Sequence, residues 1–369
     1  WGWGIIARVD DVTEVRLDGR ETMAYTHNHP QDLNDGWQVD DLASVGLDHD
    51  QVKNVITNIA FTDNNNDFRS LLVARYGKLV VEQYFNSYRP ETIHDVRSAG
   101  KSVTGALVGI AVDMDLIDGP DEQVIPFFDE YPAYANKGND KEEITLEHLL
   151  NMSAGFDADA NDGRTPGSEG NLINSDNFVE FILDLPMRFT PGEQYLYNSA
   201  SAYLAGAMVE KASGETLSDF ADDHLFGPLG IQQYFWTKGP MNTTFAMGGL
   251  FMTARDFAKI GQLYVNEGEW NGQRVLSSSW IEETLESKFE LDIAGLQTGY
   301  SRLWLSGKRQ VMGRDFDVYY ASGNGGNIVA IVPSLELVVA VQQSAYGQGF
   351  AHYRAFQAID GMIAACLVE

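Results

Sequence analysis

The stretch Ser98-Ala-Gly-Lys101-Ser-Val-Thr-Gly-Ala-Leu-Val-Gly-Ile-Ala-Val112 joins a serine and a lysine to a long apolar run. The run from Val103 to Val112 has the length of a buried core helix and is too short to cross a bilayer. Positions i and i+3 share one face of a helix, so Lys101 should lie one turn after Ser98. The stretch therefore predicts a core helix that brings an amine close to a serine hydroxyl.

The spacing of Ser98 and Lys101 is typical of an activated nucleophile. A serine hydroxyl is a weak nucleophile until a neighbouring base accepts its proton. A lysine can be that base where burial disfavours its charged form, and the positive end of the helix faces an oxyanion formed at the serine. An N-cap serine followed by a surface lysine has the same spacing, so this turn alone leaves both interpretations open.

Composition limits the function classes. With 369 residues, of which 44% are hydrophobic, the chain is long enough for one large domain or two closely packed ones. A net charge of −28 argues against nucleic-acid partners, and no apolar run reaches the length of a transmembrane segment. The single cysteine, Cys366, allows no internal disulfide, and the seven histidines show no metal-ligand spacing. We therefore predict no metal site.

Strand patterns lie towards both ends of the chain and helical patterns lie between them. Residues 70–75 and 79–85 form a predicted hairpin, and residues 317–322, 327–332 and 335–342 form three further strands before a helix over 349–366. This order predicts an α+β fold, an antiparallel sheet flanked by helices with an inserted all-helical region. The predicted parts are an N-terminal extended arm (1–47), a sheet domain (48–115 and 241–369) and a helical insert (116–240).

Two further segments carry candidate functional residues. One is Pro191-Gly-Glu-Gln-Tyr-Leu-Tyr197-Asn-Ser199, and the other is the glycine-rich corner Ala321-Ser-Gly323-Asn-Gly-Gly-Asn327. With Ser98-x-x-Lys101 and in this order, they make the chain resemble the serine β-lactamase and penicillin-binding-protein superfamily, in its class C-like esterase and amidase branch. Tyr197-Asn-Ser199 resembles the Tyr-x-Asn element in a Tyr-x-Ser form, and Ala321-Ser-Gly323 occupies the position of the Lys-Thr-Gly strand.

The resemblance implies a β-lactamase/transpeptidase-like fold and a role for each matching residue. Ser98 is the implied acylated nucleophile, and Lys101 with Tyr197 is the implied proton relay, without a decision as to which of the two is the base. A neighbouring cation would let the Tyr197 phenol act near neutral pH, whereas Tyr195 fits a core aromatic better. The implied oxyanion and substrate contacts are the N–H groups of Ser98 and Asn324, together with Gly323, Ser199 and Ser322. No cofactor is implied.

Two departures from the superfamily pattern affect the predicted substrate. Ala321 replaces the cation that engages the substrate carboxylate in antibiotic-binding members, and Ser199 replaces an amide unless Asn198 takes its place. Similar losses occur in members that hydrolyse esters and linear amides and resemble 6-aminohexanoate-dimer hydrolase. We therefore predict a serine hydrolase acting on a small-molecule ester, amide or peptide. A β-lactamase or D,D-peptidase, and a non-catalytic binding protein on the same scaffold, are the alternatives.

The remaining expectations concern the pocket and the compartment. Loops around 156–176, 232–247 and 285–310 are expected to shape the pocket, where Trp236, Phe289 and Trp304 are candidates for an apolar wall, although core packing fits them equally well. His94, four residues before Ser98, fits packing at the helix entry better than a role as base. The resemblance and a chain that begins without Met predict a periplasmic or secreted location, with a cytoplasmic one still open. The sequence predicts no oligomeric state.

Overall fold

The computed structural model describes residues 27–63, 66–293 and 296–368. Residues 1–26 of the predicted N-terminal arm, with the start of the chain, lie outside the described residues. The described part of that arm contains a two-residue strand and the buried Trp37, whose indole N–H donates to the carbonyl of Arg255. The predicted division of the chain at residues 47, 115 and 240 stays a prediction.

The described residues form fourteen strands, most of them in one large sheet. They are β1 (Gln38–Val39), β2 (Phe68–Arg75), β3 (Lys78–Tyr84), β4 (His94–Asp95), β5 (Tyr234–Trp236), β6 (Leu250–Met252), β7 (Glu269–Trp270), β8 (Gln273–Arg274), β9 (Phe289–Ile293), β10 (Leu296–Ser301), β11 (Trp304–Val311), β12 (Arg314–Gly323), β13 (Asn327–Val332) and β14 (Leu337–Gln343).

Eleven α-helices surround the sheet within the same described residues. They are α1 (His49–Thr62), α2 (Gly100–Asp113), α3 (Asn139–Glu142), α4 (Leu146–Leu150), α5 (Glu169–Ile173), α6 (Phe178–Asp184), α7 (Ser199–Ser213), α8 (Leu217–Ala221), α9 (Ala254–Val265), α10 (Ser278–Leu285) and α11 (Phe350–Ala365). Short 3₁₀ turns occupy Ala43–Val45, Arg97–Ala99, Ile125–Phe128, Pro240–Asn242 and Pro333–Leu335, and a π-helical turn occupies Asp222–Phe226.

The main sheet has nine strands in the order β1-β3-β2-β14-β13-β12-β11-β10-β9. Neighbouring strands are antiparallel except for β1 and β3, which are parallel. Strands from the two ends of the chain meet at the centre, where β2 pairs with β14. The last strand, β14, therefore lies between β2 of the first hairpin and β13.

Side chains of the central strands alternate between two hydrophobic cores. On β14, Val338 and Ala340 belong to the core that α2, α7 and α9 share, whereas Leu337, Val339 and Val341 belong to the core under α1 and α11. Successive residues of a strand point to opposite faces, so a continuous apolar run is what a sheet covered on both faces requires. Both faces of the sheet are therefore covered by helices.

The prediction of an α+β fold is confirmed, and one segment that was predicted as a loop needs correction. The hairpin of β2 and β3, the strands β12 to β14 and the helix α11 lie where the sequence places them, and most elements between 116 and 240 are helices. Residues 285–310, predicted as a loop, instead form most of β9, β10 and β11. Within the described residues, no helix is both long and apolar enough to span a membrane, and the predicted compartment stays a prediction.

Candidate active site

Ser98 lies on a 3₁₀ turn, Arg97–Ala99, that leads directly into α2. Almost every residue of α2 is buried, from Gly100 to Ala111, so the helix passes through the core instead of along its surface. A helix that is apolar on all sides is stable only in such surroundings. The position of Ser98 is consequently fixed by a rigid buried element, while its own side chain is half-exposed at the start of that element.

Lys101 lies one turn after Ser98, as the spacing predicts. Its Nζ donates hydrogen bonds to Ser98 Oγ at 3.1 Å and to the carbonyl oxygen of Met247 at 2.6 Å. The residue is only 2% exposed. A surface lysine after an N-cap serine would be exposed, so this burial excludes the alternative interpretation of the motif.

Tyr197 lies across the cavity from the start of α2, on the loop before α7. The Lys101 Nζ is 5.3 Å from the centre of the Tyr197 ring, within the range of a cation–π contact. Both residues line one cavity together with Ser98. The structure therefore brings together the three residues that the resemblance assigns to catalysis.

The side chains of the two residues after Tyr197 form hydrogen bonds with groups other than Ser98 and Lys101. Asn198 is the N-cap of α7, where its side chain accepts a hydrogen bond from the N–H of Ser201 at 2.7 Å. The Ser199 hydroxyl donates to Glu169 Oε1 at 2.8 Å. Asn198 is thus occupied by helix capping, and Ser199 instead holds a carboxylate at the edge of the cavity.

The end of β12 forms the opposite wall. Ala321 is buried, the Ser322 hydroxyl lies 3.0 Å from His352 Nε2, and Gly323 and Asn324 face the cavity. A Cβ atom at Gly323 would lie 2.1 Å from the carbonyl oxygen of Val96, so only glycine lets β12 approach the turn before Ser98 this closely.

The cavity between these walls has a volume of about 370 Å³. Among its described lining residues, Lys101 is the one lysine or arginine and Glu169 the one carboxylate. Burial lowers the pKa of His352 below its ordinary value. The lining residues are Ser98, Lys101, Ala160, Asn161, Glu169, Tyr197, Tyr300, Leu303, Leu305, Ser322, Gly323, Asn324 and His352. Within the described ranges, no three His, Cys, Asp or Glu side chains are placed to hold a metal ion.

Sequence reasoning did not name three polar residues of the cavity, Asn161, Glu169 and His352. The first two lie in the 156–176 stretch that was expected to shape the pocket, whereas no pattern marks His352, which reaches the cavity from α11 only through the tertiary fold. The suggested apolar wall is wrong for all three residues. Trp236 and Trp304 are at most 3% exposed and belong to the main core, as the alternative of core packing predicts. Phe289 is half-buried against Tyr195 and does not line the cavity. His94 is a packing residue, as expected, bonded to the Tyr88 hydroxyl and the Gln343 carbonyl.

Comparison with known proteins places this geometry in a family. The family model described as Beta-lactamase matches residues 69–360, which contain all of the site. The chain belongs to the Beta-lactamase family. Its relatives include hydrolases, among them the 6-aminohexanoate-dimer hydrolase of Paenarthrobacter ureafaciens, which is 27% identical over 229 residues. That match covers 58% of this chain and 56% of the relative, so the chain spans little more than half of that protein.

Solved structures support the fold assignment. A family VIII carboxylesterase superposes with a TM-score of 0.68 at 18% identity, covering 86% of this chain and 97% of the esterase. An octameric penicillin-binding protein homologue from Pyrococcus abyssi superposes with a TM-score of 0.66 at 19% identity, covering 85% of this chain and 77% of the homologue. At identities of 18% and 19%, these superpositions establish that the chain shares the fold of the two proteins, and they establish no activity or substrate.

Proposed function

We propose that this protein is a serine hydrolase that cleaves an ester or amide bond through an acyl-enzyme on Ser98. The observation that carries the proposal is the direct 3.1 Å contact between Lys101 Nζ and Ser98 Oγ at the wall of a cavity that Tyr197 also lines. A non-catalytic binding protein would not need a buried cation on a cavity serine. The hydrolase and carboxylesterase names among the relatives agree with this chemistry.

The proposed reaction has two halves. One member of the Lys101 and Tyr197 relay, in its deprotonated form, accepts the proton of Ser98 as Oγ attacks the substrate carbonyl carbon, and the N–H groups of Ser98 and Asn324 stabilise the oxyanion. Collapse of the intermediate breaks the bond to the leaving alcohol or amine, which takes up the relayed proton. Water then attacks the acyl-enzyme and gives a proton to the relay. The bond between the acyl carbon and Ser98 Oγ breaks, the carboxylic acid leaves, and the relay returns the proton to Ser98 Oγ.

The charge of the cavity favours substrates without a carboxylate near the scissile bond. The Lys101 ammonium already donates to Ser98 and Met247, Ala321 provides no cation at the β12 wall, and Glu169 adds a negative charge. A carboxylate would lie beside an unfavourable charge with no free cationic partner among the described lining residues. We therefore propose neutral esters or linear amides as substrates, in preference to penicillins or peptides ending in D-alanine.

The first test is covalent labelling of Ser98. Intact-protein mass after exposure to a fluorophosphonate should show one adduct on wild type and none on Ser98→Ala, and hydrolysis of p-nitrophenyl butyrate should disappear in the same variant. Ser279→Ala, a serine on the exposed start of α10, is the matched control and should behave like wild type.

Two results would contradict the proposal. A folded wild type that gives neither adduct nor hydrolysis would support the binding-protein alternative. A fluorescent penicillin that acylates Ser98 faster than the neutral ester does would favour the β-lactamase or D,D-peptidase alternative and refute the charge argument.

A further inference from the structure

The residue before the nucleophile has an unusual backbone conformation. Arg97 has a φ of 55°, in the left-handed region, although it is neither glycine nor asparagine. A residue with a branched or long side chain stays in that region only when surrounding contacts hold it there. Because the peptide of Arg97 leads directly into Ser98, any contact that holds Arg97 also orients the serine.

Asp95 provides such contacts with both of its carboxylate oxygens. Oδ1 accepts a hydrogen bond from the backbone N–H of Arg97 at 2.8 Å, and Oδ2 pairs with Arg97 Nε at 3.0 Å. The backbone of the same turn is fixed on its other side, where Asp95 pairs with Phe251 of β6 and the N–H of Val96 donates to the Leu250 carbonyl at 3.0 Å. Asp95 itself is only 8% exposed.

The Arg97 side chain continues the connection to the second wall of the site. Its guanidinium carbon lies 4.3 Å from the centre of the Tyr346 ring, a cation–π contact. Tyr346 packs closely on Gly325, where a Cβ atom would come within 2.7 Å of the ring. The neighbouring residue, Asn324, carries the proposed oxyanion donor, and its side chain accepts from the N–H of Gly347 at 2.8 Å.

We propose that Asp95 is a positioning residue, which holds Arg97 in its left-handed conformation and thereby sets Ser98 against Lys101 and against the turn of Asn324. The expected effect of Asp95 on the reaction rate rests on the proposed function, whereas its expected effect on the backbone of Arg97 does not. Asp95 is not among the cavity-lining residues, so it acts through Arg97 and not on the substrate.

The test compares Asp95→Ala in two backgrounds. In the wild-type background, the rate constant for fluorophosphonate labelling should fall on the order of 10- to 100-fold, as for a small misplacement of a reacting group. In the Arg97→Gly background, the same change should cost much less relative to Arg97→Gly alone, because glycine adopts a positive φ without a partner. Asp95→Asn should recover most of the rate, since its amide oxygen can still accept from the Arg97 N–H.

Asp63→Ala is the control for loss of stability. Asp63 is similarly buried and also accepts backbone hydrogen bonds, from Asp67 and Phe68, but it lies outside the site. This variant should lower the unfolding temperature and leave the labelling rate constant of the folded protein near that of wild type. An equal slowing of labelling in Asp63→Ala and Asp95→Ala would mean that Asp95 is merely structural.

A crystal structure of Asp95→Ala gives a readout that needs no substrate. We expect Arg97 to leave the left-handed region and Ser98 Oγ to move away from Lys101 Nζ. An unchanged φ at Arg97, or an equal rate loss in the two backgrounds, would overturn the inference. A wild type that is never labelled would instead refute the proposed function, and the crystal structure would still decide the role of Asp95.

Discussion

Tyr195 and Tyr197 are two residues apart in the sequence and have different surroundings in the structure. Tyr197 lines the cavity beside the Lys101 ammonium, whereas Tyr195 packs against the rings of Tyr300 and Phe289. Burial raises the pKa of Tyr195 far above its ordinary value, so this phenol stays protonated. Of the two tyrosines, Tyr197 is therefore the one suited to proton transfer with Ser98.

Replacement of each tyrosine by phenylalanine should separate these roles. We expect Tyr197→Phe to lower kcat for ester hydrolysis by on the order of 100-fold or more, the usual range for loss of a general acid–base group. Tyr195→Phe removes a hydroxyl of the same kind at nearly the same place and should keep activity near that of wild type. Comparable losses in both variants would show that packing of this loop, and not the Tyr197 hydroxyl, supports the rate.

The sequence predicted the residues of the candidate site that lie close together along the chain. Ser98 and Lys101 are one helical turn apart, so local geometry alone brings them together. Glu169 and His352 were not named, because no local pattern connects α5 and α11 to Ser98, although Glu169 lies in the 156–176 stretch that was expected to shape the pocket. Resemblance located Tyr197 and the corner at Gly323, which spacing could not do.

Among the elements, α2, the helix that follows Ser98, shows how an apolar helix is packed inside the protein. Gly105 and Gly109 face neighbouring chain segments: a Cβ atom at Gly105 would lie 3.1 Å from the Arg302 carbonyl oxygen, and one at Gly109 would lie 2.6 Å from Trp280 Nε1. Trp280 is a buried residue of α10, so it has little room to move. The two glycines thus let α2 come close to the elements that hold it.

We predict that Gly109→Ala lowers the free energy of unfolding by about 1–3 kcal/mol, the usual cost of overpacking a core. Alanine favours a helix over glycine, so a loss of stability here would have to come from the contact with Trp280. Urea denaturation of wild type, Gly109→Ala and Gly170→Ala provides the measurement. Gly170 in α5 has no heavy atom within 4 Å of an added Cβ, so its variant should be at least as stable as wild type. Equal stability of Gly109→Ala and wild type would refute the packing argument.

The sequence analysis predicted a loop where the structure has the strands β9 to β11, and the reason is physical. The turn between β10 and β11 has two residues, Arg302 and Leu303, both with positive φ. Such hairpin turns normally contain asparagine or glycine, so this pair gives no turn signal. Gly299 also weakens the strand pattern of β10. The position needs a glycine because a Cβ atom there would overlap the hydroxyls of Ser287 and Ser306. Tertiary contacts, not local preferences, determine this part of the sheet.

For the whole molecule, His94 links the segment before Ser98, the proposed nucleophile, to β14. Its Nδ1 is 3.0 Å from the Tyr88 hydroxyl, and its Nε2 is 3.1 Å from the Gln343 carbonyl oxygen at the end of β14. Burial, and less strongly the nearby charges of Arg69 and Arg97, lower the pKa of His94 to about 4. The imidazole is therefore neutral in the folded protein at neutral pH.

This shift makes stability depend on pH in a definite direction. Between the ordinary histidine pKa of 6.5 and the folded value of about 4, the unfolded chain binds more protons at His94 than the folded one. The contribution of His94 to the free energy of unfolding is therefore fully present above pH 6.5. It is lost as the pH falls from 6.5 to about 4, and the loss is at most about 3 kcal/mol. His27, whose pKa is also lowered to about 4 by burial and by His49, acts in the same direction.

The net charge of −28 acts against this trend, since protonation of carboxylates relieves self-repulsion as the pH falls. Comparison with a variant separates the two effects, because His94→Gln leaves the acidic groups in place. We expect His94→Gln to be less stable than wild type at about pH 7.5, where its hydrogen bonds are lost, and to lose less stability than wild type between about pH 7.5 and pH 5. His29→Gln, at an exposed histidine, should follow the wild-type curve. The free energy of unfolding is measured by urea denaturation at each pH. If it changes with pH by the same amount in His94→Gln and in wild type, His94 does not cause the loss of stability in acid.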